Sequence, residues 1–334
     1  MKLIILLLIA TLSACGEAFI GDDIENTPEN NFKMLWKEHD LWFAHFENKN
    51  IDWQAQYEKY YPQITSQTTA DELWDILTQM MSVLSDAHSQ LKWRNHRYFN
   101  SADPGVFEAA KLFDLGVVSD YLTDKGFNTD KQFYYGKLSD NIGYIYITNF
   151  RGKYVEEIES IVSDFEDTDG LVVDIRSNTG GNDLQSHAIA SVLTGKKQYV
   201  YSVQTRNGTS HDDFDKATKW YTEPNERIQF TKPIILITNR GSISASDVFA
   251  LIVSELPHVT VLGDYSTGSF SDKSFSRFLP NGWEYTISHQ RYLDTNGDNL
   301  EGIGVEPDVF MNAVPEDILN GEDKVLEKAI DLLQ

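Results

Sequence analysis

The sequence predicts an α/β protein, in which a sheet covered by helices follows a small helical bundle. Two observations carry this expectation. From about residue 131 onward, short apolar runs at 142–147, 171–175, 234–238 and 259–262 alternate with helical stretches. The order β-α-β-α-β fits a parallel or mixed sheet with helices on its faces. Ahead of it, over residues 31–97, apolar residues recur every three or four positions, the period of an amphipathic helix.

Each element follows from local chemistry. Phe32, Leu35, Trp36 and His39 share one helical face, as do Leu73, Ile76, Leu77, Met80 and Leu84. Pro62 separates the two stretches, and Thr69-Ala70-Asp71-Glu72 reads as a helix start. About three helices are expected before Trp93. The aromatic residues from Trp36 to Tyr61 could line a groove, but helix–helix core is the simpler use for them. Residues 98–132 read as a linker, with loop signals from Asn100 to Gly105 and a short helix over 106–115. Strands are expected at 133–135 and 142–147, joined by Ser139-Asp140-Asn141. Helices are expected at 154–165, about 183–194 and 246–255. Pro280-Asn281-Gly282 turns a hairpin, and a last helix runs over about 323–333. The core therefore spans 133–334.

The formal net charge is −23. A surface so acidic repels phosphate backbones, which argues against nucleic acid as a partner. The first residues suggest a different attachment. Lys2 and the apolar run from Leu3 to Ala10 form a signal segment too short to span a bilayer. The run ends in Leu12-Ser13-Ala14-Cys15, which resembles the bacterial lipoprotein box, where the cysteine is lipidated. Cys15 is the sole cysteine among 334 residues, so an internal disulfide is impossible. The expectation is a signal over 1–15, a flexible tether over 16–30, and a protein held by lipid on the cell-envelope side of a bacterial membrane, facing the periplasm or the exterior.

Three segments carry candidate chemistry. Asp174-Ile175-Arg176-Ser177-Asn178-Thr179-Gly180-Gly181 follows a strand, and its glycines allow a tight turn that exposes amides to an oxyanion. A plain glycine turn would look the same. Asn239-Arg240-Gly241-Ser242-Ile243-Ser244-Ala245-Ser246-Asp247 joins a strand to a helix. A serine there sits where the helix dipole favours developing negative charge, or it caps the helix. Glu301-Gly302-Ile303-Gly304-Val305-Glu306-Pro307-Asp308 places a carboxylate ahead of two glycines.

Together with Gly263-Asp264 to Gly268, these segments resemble, in order and spacing over about residues 133–310, the S41 family of tail-specific and tricorn-type proteases. The resemblance implies a crotonase-like core, a peptide or protein substrate and no cofactor. It places the nucleophile on Ser244 and the oxyanion hole on the amides of Ala245 and Gly181, or else Gly180. The lysine base of the tail-specific branch is missing, because Ser269 stands at its position; Lys273 is a fallback. The tricorn-like branch implies His88, in Leu84-Ser85-Asp86-Ala87-His88, as base and Glu301 as its orienting carboxylate. Ser89 or Ser269 would assist. The chemistry is consistent, since imidazole is a neutral base near pH 7.

Family members often carry a PDZ domain between the helical part and the core, and the 35–40 residues after Trp93 are too few for one. A non-catalytic binding protein on the same fold, or a small-molecule esterase or amidase, are the alternative functions. Asp294-Thr295-Asn296-Gly297-Asp298 has the start of a calcium loop, but Asn299 and Val305 stand where glycine and glutamate are needed, so a plain turn and no metal is expected.

Overall fold

The computed structural model describes residues 24–272 and 276–334. Cys15, the signal segment, the start of the tether and Lys273 lie outside the described residues. The N-terminal helices are α1 (Pro28–Trp42), α2 (Trp53–Tyr60) and α3 (Ala70–Met81). Helix α1 starts at Thr27, whose side chain accepts from the Asn30 amide, with Pro28 in the first turn. Helix α3 has the reciprocal Thr69/Glu72 capping box that its first residues imply. Trp36 and Trp53 each donate an indole N–H to the other's carbonyl at 3.0 Å, locking α1 to α2. The aromatics are core: Phe32, Phe43, Phe46, Trp53 and Tyr60 are buried, with Trp36, Trp42, Tyr57 and Tyr61 packed against them.

The helical pattern stops earlier than the sequence suggests. After Leu84 the chain reverses at Ser85 (φ 45°) and forms two strands, β1 (Gln90–Trp93) and β2 (Arg97–Asn100). Short helices α4 (Pro104–Ala109) and α5 (Leu115–Tyr121) and strand β3 (Asn128–Asp130) occupy the stretch expected to be a linker.

Then come β4 (Phe133–Ser139), β5 (Ile142–Ile147), α6 (Val155–Ser163), β6 (Gly170–Asp174), α7 (Asp183–Ser191), β7 (Gln198–Thr205), β8 (Thr218–Thr222), β9 (Ile234–Thr238), α8 (Ala245–Ser254) and β10 (Val259–Gly263). The chain closes with β11 (Arg277–Phe278), β12 (Glu284–Thr286), β13 (Gln290–Leu293), β14 (Val309–Phe310), α9 (Pro315–Leu319) and α10 (Lys324–Leu332). The expected turn at 280–282 does join β11 to β12: Gly282 N–H donates to the Leu279 carbonyl at 2.8 Å.

The main sheet has seven strands in the order β14-β10-β9-β6-β5-β4-β3. It is parallel from β14 to β5 and antiparallel from β5 to β3. Its central strands are buried on both faces, as their continuous apolar runs require. Alternate residues serve opposite cores: Leu171 and Val173 pack with α7 and α8, while Val172 packs with α5 and α10. A second sheet, β11-β12-β1-β2, binds the N-terminal bundle to the C-terminal half, because β1 pairs with β12. Leu279, Trp283, Tyr285 and Ile287 thereby fill the core of the helical bundle. A third sheet, β13-β7-β8, flanks α7.

One buried ion cluster ties the first glycine-bearing loop to the last helix. Arg176 pairs with Asp174 at 2.6 Å and with Asp323, the N-cap of α10, at 2.8 Å, and all three are buried. Asp174 and Arg176 therefore hold the loop in place from below. The segment 294–298 is a turn: Asp294 Oδ1 accepts from the amides of Asn296 and Asp298, and no metal-binding cluster exists among the described residues.

Candidate active site

Two strand-to-helix loops meet at the C-terminal ends of β6 and β9. They are stitched by buried polar groups. Asn178 donates to the Ile147 carbonyl at 2.7 Å and accepts from the Gly180 amide at 2.9 Å. Its own carbonyl accepts from the Ile243 amide. Asn239 accepts from the amides of Ser177 and Gly241, and Ser242 donates to the Ile175 carbonyl. Gly180 has φ +70°, and a Cβ there would lie 2.5 Å from the Ile243 oxygen and 2.8 Å from Ser244 Cβ. Only glycine lets the two loops approach so closely.

Ser244 ends the second loop with φ 64° and ψ −121°, a conformation that costs a non-glycine residue about 1–3 kcal/mol. The backbone is held there because Ser244 N–H donates to Asp247 Oδ2 at 2.7 Å. The hydroxyl is half-buried at the N-terminus of α8. Ala245, the first residue of that helix, and Gly181, on the facing loop, have amides without an acceptor among the described residues. The Gly180 amide is already used by Asn178, which separates the two glycines the sequence leaves open. Gly181 is fixed against β5's extension. A Cβ on it would meet the Phe150 carbonyl carbon at 2.3 Å.

The N-terminal half supplies the imidazole. His88 Nε2 lies 3.1 Å from Ser244 Oγ across 156 residues of sequence. His88 is placed by the turn after α3: its amide donates to Asp86 Oδ1, and its carbonyl accepts from Thr286 Oγ1 on β12. Its Nδ1 faces Ser269 Oγ at 3.4 Å. Ser89, the other serine suggested by the sequence, donates instead to Asp86 Oδ2 at 2.8 Å.

Glu301 is buried beside this group, but no described hydrogen bond joins it to His88. Its carboxylate accepts from the Phe270 amide at 2.8 Å and the Ser271 amide at 3.4 Å. Lys49 Nζ is 3.5 Å away on the other side and also donates to the Ser85 carbonyl. Burial pushes Glu301 above its ordinary carboxylate range, with Lys49 and His88 pulling the other way. Asp86 is also buried, yet the charges of Lys49 and His88 outweigh that burial and hold its carboxyl low. Lys49, Asp86 and Asp247 were not singled out by the sequence. Asp86 stands two residues before His88 and Asp247 three residues after Ser244, and neither spacing alone announces the amides these carboxylates hold. Lys49 has no local signal, since it meets Glu301 only through the tertiary fold.

Asp247 joins both halves of this arrangement. It accepts from Ser244 N–H and from the amides of Gly268 and Ser269, so one carboxylate orders the serine turn and the loop facing His88. Burial pushes it up to about 7 against the pull of these donors.

A hydroxyl, an imidazole at hydrogen-bond distance and two free amides, one at a helix N-terminus and one on the facing loop, can support acyl transfer. Comparisons with known proteins agree with that chemistry. Residues 141–311 match peptidase family S41, and residues 24–82 match the tricorn protease C1 domain. The chain is 25% identical over 226 residues to a carboxy-terminal-processing protease of Bartonella bacilliformis, covering 66% of this chain and 48% of that protein. It is 27% identical over 207 residues to a tricorn protease of Thermoplasma volcanium, covering 61% of this chain and 18% of that protein. The chain thus spans less than half the length of these relatives. A crystal structure of a proposed peptidase from Parabacteroides merdae aligns with TM-score 0.85 at 31% identity, over 92% of this chain and 97% of the other. A structure of mature CPAF bound to lactacystin, at 12% identity and TM-score 0.69 over 92% and 98% of the two chains, shares the fold. With the family match extending over half of its length, the chain belongs to peptidase family S41.

Proposed function

We propose that this protein is a serine endopeptidase whose nucleophile is Ser244. The observation that carries the reading is the 3.1 Å contact between His88 Nε2 and Ser244 Oγ at the mouth of α8. In this account Ser244 attacks a peptide carbonyl and His88 accepts its proton. The amides of Gly181 and Ala245 hold the oxyanion. His88 then returns the proton to the leaving amine, and water hydrolyses the acyl-enzyme by the same route. Ser269 keeps His88 Nδ1 protonated, and so Nε2 free to accept. Glu301 supplies negative charge near the imidazolium, partly offset by its ion pair with Lys49, and makes no hydrogen bond to His88 among those described. The relatives named as processing and tricorn proteases support a protein or peptide substrate.

We also propose lipid attachment at Cys15, on the strength of the sequence box alone. Incorporation of labelled palmitate that Cys15→Ser abolishes would support it.

A serine-directed fluorophosphonate tests the main reading. It is expected to form one adduct, at Ser244 by peptide mapping, and His88→Ala is expected to slow that reaction at least a hundredfold. A folded protein that labels elsewhere, or that labels at Ser244 equally fast without His88, would overturn it.

A further inference from the structure

Gly181 lines one edge of a cavity. The cavity has a volume of about 590 Å³ and lies between the first turn of α7 and the sheet β13-β7-β8. That is the size of a pocket for a small ligand or a long side chain. Because Gly181 contributes one of the two free amides assigned to the oxyanion, a cavity it lines lies within reach of the side chain of the residue donating the scissile carbonyl.

The walls are aromatic. Tyr201 stacks on Trp220 at 5.9 Å and 14°, and on Tyr292 at 5.5 Å and 24°. The polar groups are acidic. Asp183, Asp215 and Asp272 line the cavity, and among the described residues no lysine or arginine does. Asp215 is fixed by the Thr205 amide, which donates to its Oδ1 at 2.7 Å. Asp183 is half-buried at the start of α7. The Tyr292 hydroxyl donates to its Oδ2 at 2.7 Å, while its other oxygen has no donor among the described residues. An aromatic trough ending in a carboxylate with one oxygen free of protein donors suits a flexible aliphatic stem with a cationic head. Burial first, then the neighbouring charge of Asp272, pushes the Asp183 carboxyl up to about 7. The charge of an arriving cation would oppose that upward push.

We propose that this cavity is the specificity pocket of the peptidase and selects a lysine or arginine side chain, with Asp183 as the specificity-determining residue. The inference rests on the peptidase reading for its meaning, but its test does not need catalysis. Calorimetry on Ser244→Ala would compare three peptides identical except for one central residue: lysine, norleucine or glutamate. The lysine peptide is expected to bind at least tenfold more tightly than the norleucine peptide, and the glutamate peptide more weakly than either. Adding Asp183→Asn should bring lysine and norleucine within about threefold of each other. Equal binding of lysine and norleucine, or a lysine preference that survives Asp183→Asn, would overturn the pocket assignment. Cleavage of the same peptides by the wild type judges the peptidase reading separately. A wild type that cuts the norleucine peptide as readily as the lysine peptide is a peptidase without this specificity.

Discussion

His88 and Ser244 lie 156 residues apart in sequence and 3.1 Å apart in space, one on the helical half and one on the α/β core. The pairing depends on β1 adding to β12, which brings the turn after α3 over the mouth of α8. If these two residues act as one unit, their losses are not additive. His88→Ala should lower kcat/KM by on the order of 10³ or more, and the double variant with Ser244→Ala should be no worse than Ser244→Ala alone. Steady-state kinetics on one peptide substrate measures this. Multiplying losses would show that the two residues act separately.

Ser269, not Ser89, faces the second imidazole nitrogen. Ser269→Ala is expected to lower kcat about ten- to a hundredfold with KM changed less than about twofold, since a positioned acid–base supplies about 10²–10⁴ in all. Ser89→Ala should leave kcat within about threefold. The opposite ranking in kcat would assign the assisting role to Ser89.

The Gly181 amide can be tested through its lack of a side chain. A Cβ at this position collides with the Phe150 carbonyl, so Gly181→Ala must displace the amide. Loss of one oxyanion donor is worth about 10²–10³ in kcat. A fall of about a hundredfold with KM little changed is expected. Gly126→Ala, where an added Cβ meets nothing within 4 Å, is the control and should be silent.

Asp183 makes stability depend on pH. Its folded carboxyl titrates near 7, well above the ordinary value of 3.8. The folded state therefore binds the proton more tightly than the unfolded state, and stability falls as pH rises from about 4 to about 7. Asp183→Asn keeps an acceptor for Tyr292 and removes that titration. At pH 8 the variant should gain about 1–2 kcal/mol over the wild type, after allowance for the residue's partial exposure, and almost nothing at pH 4. Urea denaturation at the two pH values reads the difference. A gain at pH 4 equal to that at pH 8 would mean that packing, not charge, is responsible.

The buried Arg176 is shared by Asp174 and Asp323. Asp323→Ala leaves Arg176 with one partner and removes the N-cap of α10. A loss of about 3–5 kcal/mol is expected, the usual cost of breaking a buried pair. Thermal unfolding would show it, and a change below about 1 kcal/mol would mean that Asp174 alone satisfies the guanidinium.

The sequence made the sheet legible because its central strands are long apolar runs bounded by polar turns. The helix start at Thr69 is legible for a similarly local reason: its capping box is read within four residues. Strands β1 and β2 were not, because β1 owes its conformation to β12, nearly two hundred residues away. At the site, Ser244, His88, Glu301 and Gly181 were named through a resemblance. The geometry then brings Ser244 and His88 together, leaves Gly181 rather than Gly180 with a free amide, and puts Ser269 instead of Glu301 on His88 Nδ1. Lys49 stayed hidden, since nothing around a lone lysine announces a buried carboxylate on a distant loop.

The most direct test is cleavage itself. Purified wild type and Ser244→Ala would each be incubated with a mixed peptide library and the products read by mass spectrometry. The account predicts internal cuts by the wild type, concentrated beside lysine and arginine, and none by Ser244→Ala. Identical cleavage by both proteins, or none by a wild type shown to be folded, would contradict it.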